Sequence, residues 1–181
     1  MRDTITREIA LPDTVTAQLH GSILKIKGPQ GEVERNFAHP KVQLTVEPKT
    51  IKLYSHQGTR REKTIIGSFE SHIKNLVQGV QEPHIYKLKI CSGHFPMNVA
   101  VVGQELVIKN FLGESVPRRI TFIKGAEVKI DGTDIVVSSP DKEAAGQTAA
   151  RIESLCRITN RDIRVFQDGC HIFHKAGKGV A

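Results

Sequence analysis

Three blocks of this 181-residue chain occur twice, in the same order, and that duplication limits what it can fold into. Gly21-Ser22-Ile23-Leu24-Lys25-Ile26-Lys27 returns as Gly103-Gln104-Glu105-Leu106-Val107-Ile108-Lys109, with Gly, Leu, Ile and Lys 82 positions on. Gly31-Glu32 and Gly113-Glu114 keep that offset. Lys49 to Ser55 resembles Thr133 to Ser139 at an offset of 84. Gly67, Ile73 and Leu76 match Gly146, Ile152 and Leu155 at 79. Small drifts in offset are what loop insertions and deletions produce between copies of one unit. Two tandem units are expected, 1–82 and 83–181.

Each copy changes period in the same way. Leu24 and Ile26 alternate with Lys25 and Lys27, the pattern of a half-buried strand. Gly28-Pro29-Gln30-Gly31 signals a turn, and a return strand should follow. Val42, Leu44 and Val46 alternate again, and Pro48-Lys49-Thr50 turns the chain into Ile51 and Leu53. Ile65, Ile66, Phe69, Ile73, Leu76 and Val77 then fall at helical spacing, with Gly79 at the expected stop. In the second copy Asp141 is the expected N-cap, and Ala144, Ala145, Thr148, Ala149, Ile152 and Leu155 form the buried stripe. Ile85 to Ile90 reads as a strand, as do the surroundings of Ile163, Val165 and Ile172. The segment from Lys175 to Ala181 has little to bury and reads as a flexible basic tail. The expected class is α+β, each unit a small mixed or antiparallel sheet with one helix across one face.

The formal net charge of +7 points toward a polyanion. No apolar run approaches the roughly 18 residues of a membrane span, and Met1-Arg2-Asp3-Thr4 does not open a signal peptide. Cys91, Cys156 and Cys170 are odd in number and form no C-x-x-C pair, which fits a reducing compartment. A cytoplasmic location is the default expectation.

The motifs for catalysis are thin. Cys91 and His94 make C-x-x-H, and Cys170, His171 and His174 cluster. On a strand, however, His171 would point away from Cys170 and His174, so a four-ligand zinc site is not expected. Ala176-Gly177-Lys178-Gly179 lacks the hydroxyl of a P-loop and has no helix after it. A hydrolase using Cys170 and His174 has no supporting signature. Asp131 and Asp134 read as turn carboxylates. No enzyme, no cofactor and no small-molecule substrate are expected.

The basic residues say more. Arg60, Arg61 and Lys63 precede the first helix, and Arg118 and Arg119 follow Pro117. Arg157, Arg161, Arg164, Lys175 and Lys178 face only Asp162 and Asp168 over the last 25 residues. Arg binds phosphate through a planar fork and Lys as a point charge. Aromatics are only 5% of the chain, and no RRM, KH or zinc-finger pattern occurs. Phosphate and shape contact with folded RNA is therefore expected over base stacking as the main mode. The rival reading is a protein-interaction module whose charge serves solubility.

Thr159-Asn160-Arg161-Asp162-Ile163-Arg164-Val165-Phe166-Gln167-Asp168-Gly169 resembles the C-terminal signature of the large-subunit ribosomal protein six family in its archaeal and eukaryotic form. Ile9-Ala10-Leu11-Pro12, Val15 and Leu24 to Gly31 resemble its opening, and Gly67 to Leu76 falls where its first helix lies. The resemblance covers nearly the whole chain. It implies a non-catalytic protein of the large subunit. The expected partners are ribosomal RNA and neighbouring ribosomal proteins, with translation GTPases docking nearby. The second unit would lie beside the sarcin–ricin loop. The RNA contacts it implies are Lys109, Arg157, Arg161, Arg164, Lys175 and Lys178, to which the basic pair Arg118 and Arg119 is added. One departure is His174, where archaeal members usually carry an acid.

Overall fold

A computed structural model describes residues 3–179, excepting the side chains of Asp3, Gln57, Lys178 and Gly179. The chain divides into two compact units, 1–83 and 84–181.

The first unit runs β1 (Asp3–Ala10), β2 (Thr16–His20), β3 (Ile23–Gly28), β4 (Gly31–Asn36), β5 (Gln43–Val46), β6 (Thr50–Gly58) and α1 (Arg60–Gln81). Its strands form two sheets, ordered β1-β6-β5 and β2-β3-β4. The alternation in β3 sends Leu24 and Ile26 into the core, while Lys25 reaches Glu32 at 2.7 Å on the outer face. A Cβ on Gly28 would lie 2.7 Å from the Val80 carbonyl oxygen, so the β3–β4 turn can press on α1 only with glycine there. The Gln30 N–H donates to that same carbonyl at 3.0 Å.

Thr59 and Glu62 start α1 as a capping box. The Glu62 carboxyl is held down at about 2, chiefly by the Thr59 hydroxyl and backbone N–H. Gly79 does not end the helix. It is buried within α1, which runs to Gln81. The stop comes from Pro83, which disfavours helical backbone at the residue before it. Glu82 is accordingly extended, at φ −134° and ψ 124°. The helix packs on strands of both sheets, closing a core of Leu24, Ile26, Ile51, Leu53, Ile66, Ile73 and Val80. Full burial of each such side chain stabilises by roughly 1.5–3 kcal/mol.

The second unit repeats the order as β7 (His84–Cys91), β8 (Asn98–Val102), β9 (Glu105–Lys109), β10 (Arg118–Thr121), β11 (Glu127–Asp131), β12 (Asp134–Ser139) and α2 (Lys142–Leu155). β8-β9-β10 matches β2-β3-β4, and β11-β12-β7 matches β5-β6-β1. The two-residue turns before β3 and β9 both carry a left-handed glycine, Gly21 at φ +64° and Gly103 at φ +62°. Asp141 caps α2, accepting from the Glu143 N–H at 2.9 Å. The second unit then adds β13 (Gly169–Lys175) and β14 (Lys178–Gly179) on the far side of β7.

The α+β class and the duplication hold, with two sheets per unit in place of one. Every strand pairing among the described residues is antiparallel.

Two further expectations fail. Ile163 and Val165 are not in a strand. They sit in a turn and are 71% and 60% exposed. The Asp162 side chain accepts the Arg164 N–H at 2.9 Å, and the Phe166 N–H closes onto the Asp162 carbonyl at 2.9 Å. This Asx-type turn overrides the apolar alternation. The segment after Lys175 is likewise not loose where it is described. Gly177, at φ +80°, lets the chain reverse, and β14 pairs back on β13 with Lys175 opposite Lys178. Residues 180 and 181 lie outside the described residues.

Candidate nucleic-acid interface

The signature segment and the loop after β7 build one site in the second unit. Their organising group is Asp168, 2% exposed although ionisable. Its carboxylate accepts from the Gly93 N–H, from the His94 N–H at 3.0 Å and from the His94 ring Nδ1 at 2.6 Å. Burial alone would push this carboxyl up. The hydrogen bonds from His94 and Gly93 outweigh that, and its pKa lies below the usual value. A buried anion thus ties the 92–97 loop to the entrance of β13.

His94, so held, stacks on Phe166 with centroids 4.6 Å apart and planes at 30°. The Arg161 guanidinium lies over the same ring at 4.8 Å. Beside this column is a cleft of about 1100 Å³, lined by Ser92, Ser154, Arg157, Ile158, Ile163, Val165 and Gln167 among others. Gly169, at φ +155°, packs against Cys156 and His171, and the His171 ring lies against the Gln167 carbonyl at 3.2 Å.

The basic residues separate into distinct environments. Arg157 and Arg161 are exposed and enter no ion pair among the described residues. Arg157 lines the cleft itself, whereas Arg161 stands over the Phe166 ring. Arg164 is exposed but bound to Asp162 at 2.7 Å, so its charge is partly cancelled locally. Arg118 is turned inward. It chelates Glu114 at 2.6 and 2.8 Å, donates to the Leu155 carbonyl at 2.6 Å at the end of α2, and covers Phe111 at 4.2 Å. These contacts cap α2 from its C-terminal side. Arg119, one residue on, faces outward from β10, and Lys109 is exposed at the end of β9. Lys175 is exposed at the end of β13. The side chain of Lys178 lies outside the described residues.

The cysteines and histidines form no metal-binding set among the described residues. Cys170 is fully buried, and its contact with Cys156, together with burial, pushes its thiol well up. A neutral buried thiol is a poor nucleophile. The partnership of Asp168 with His94 could not be read from the sequence, because 74 positions separate them. Its one outward sign is an acid followed by glycine in a basic stretch.

Fold and cleft together define a duplicated α+β protein whose second unit carries exposed basic residues beside a cleft. A family model described as ribosomal protein L6 matches residues 11–83 and 95–169, one match in each unit. The large ribosomal subunit protein uL6 of Nanoarchaeum equitans is 45% identical over 97% of this chain and 96% of its own length. That of Saccharolobus solfataricus is 44% identical over 94% and 95%, and that of Haloarcula marismortui 42% over 96% and 98%. The chain belongs to the ribosomal protein L6 family.

Proposed function

We propose that this protein is a non-catalytic constituent of the large ribosomal subunit, located on cytoplasmic ribosomes, and that it binds ribosomal RNA through its second unit. The supporting observation is the cleft rim, where Arg157 lines the cleft and Arg161 stands on its aromatic column, both exposed and in no ion pair among the described residues. Phosphate neutralisation by such groups releases counterions, while the rigid sheets fix the register of the RNA. Lys109, Arg119, Arg164 and Lys175 widen the basic surface. Arg118 acts indirectly, by holding the end of α2 from which Arg157 emerges. On this reading the RNA is that around the sarcin–ricin loop, where translation GTPases dock, and neighbouring ribosomal proteins complete the surroundings.

The test is the salt dependence of binding to large-subunit ribosomal RNA. Replacing Arg157 and Arg161 together by Ala should reduce the slope of log K against log salt by about 1.4–1.8. Arg164→Ala should change it less, because Asp162 already offsets that charge. An unchanged slope in the double variant contradicts the assignment.

A further inference from the structure

Neutralising phosphate needs only exposed cations. It does not explain why the cleft also has a planar column and aliphatic side chains left in water. Arg161, Phe166 and His94 form the column, with contacts of 4.8 and 4.6 Å. Ile163 and Val165 stand on the cleft wall mostly exposed, and Gln167 lines the same cleft, its amide N–H donating to the Arg164 carbonyl at 3.4 Å and its amide oxygen available to a ligand. Exposed apolar area costs about 25 cal/mol per Å² compared with burial, so this wall favours an occupant with an apolar face. A volume of about 1100 Å³ has room for a base with its sugar and phosphate.

We propose that the cleft receives an unpaired nucleobase extruded from RNA. The base stacks on the column and packs against Ile163 and Val165, its edge meets the Gln167 amide, and its phosphate meets Arg157. The inference rests on the RNA-binding reading above and adds a stacked base to it. A flat π-face satisfies aromatic and guanidinium surfaces alike, and a base edge satisfies an amide that both donates and accepts. An acidic peptide would answer the charge of Arg157 and leave the column and aliphatic wall unmatched. Asp168 is the positioning residue. It holds His94 before any ligand arrives, so the column need not be ordered on binding.

The experiment uses the full chain, large-subunit ribosomal RNA and a salt series. Phe166→Leu, which keeps an apolar side chain and removes the ring, should weaken binding about 5- to 150-fold. The salt slope should not change, since no charge is lost. Phe166→Tyr should restore binding. Arg157→Ala should reduce the slope by about 0.7–0.9. Wild-type affinity in Phe166→Leu, with a flattened slope in Arg157→Ala, overturns the proposal and leaves the RNA-binding reading standing. Absence of salt-dependent binding by the wild-type chain overturns that reading first. A second measurement on the wild-type chain avoids any folding defect in the variant. Adenosine monophosphate should shift the Phe166 ring resonances and ribose 5-phosphate should not. Equal shifts from both, or displacement of the nucleotide by hexaglutamate alone at matched ionic strength, contradict a base in the cleft.

Discussion

The two units share one strand order and one helix position, and their sheets differ at one edge. In the first unit β1 ends its sheet, with β6 as its strand neighbour among the described residues. In the second, the equivalent strand β7 continues into β13 and β14, and the Glu153 carboxylate on α2 accepts the Ile172 N–H at 2.9 Å. The uncovered edge is blunted differently. Arg7 shares the helix-facing side of β1 with Ile5 and Ile9 and meets Glu70 of α1 at 3.8 Å. Charged side chains on an edge strand are a recognised defence of exposed edges against pairing with another chain. Covering the edge in the second unit does more than protect it. It brings Asp168 to the end of β7, where Gly93 and His94 wait, and so creates the cleft. The cleft thus stands where the two copies of the duplicated scaffold diverge.

The comparison breaks if the shared framework is not energetically equivalent. Ile51 and Ile135 occupy matching positions in β6 and β12, and both are fully buried. Ile51→Ala and Ile135→Ala should each destabilise their own unit by about 2–5 kcal/mol in chemical denaturation. A loss in one unit without a comparable loss in the other contradicts structural equivalence.

A smaller effect should be confined to the second unit. Asp168→Ala leaves the Gly93 and His94 N–H groups without their acceptor and should cost about 1–3 kcal/mol. Amide exchange should accelerate at those two residues. The sign of the pH dependence follows from a folded pKa below the unfolded one. The Asp168 contribution is complete above about pH 4, the unfolded carboxylate value, and is lost as pH falls through the folded value. Asp168→Asn should therefore flatten the acid limb of the stability profile. An acid limb identical to the wild type's would remove Asp168 from its role.

The edge comparison has the mildest expected effect on stability. Replacing Arg7 by Val and Glu70 by Leu should leave the first unit within about 0.5 kcal/mol, as surface changes usually do. It should nonetheless promote self-association in sedimentation velocity, because the edge strand loses the Arg7 charge. A strictly monomeric double variant means that the pair does not guard the edge.

Much of this architecture is legible in the residues because it is local. The Leu24 and Ile26 alternation, the Asp141 cap and the constant offsets between copies each follow from a few adjacent positions. What escaped depends on distant groups or on backbone chemistry. Gly79 looks like a helix stop, yet it is buried within α1, and Pro83 sets the end. Ile163 and Val165 imitate a strand, while the Asp162 side chain curls the backbone. Arg118 reads as an RNA contact, although its guanidinium serves Glu114, Phe111 and the end of α2. The cleft was half visible. Phe166-Gln167-Asp168-Gly169 marks its position in the sequence, and only the register of β13 on β7 brings it to His94.

The most direct test of the central claim is sedimentation of the full chain with large ribosomal subunits at moderate and then high salt. Co-migration with the large subunit at moderate salt, yielding progressively as salt rises, is the predicted result. A protein that stays at the top of the gradient at both salt concentrations would contradict the account.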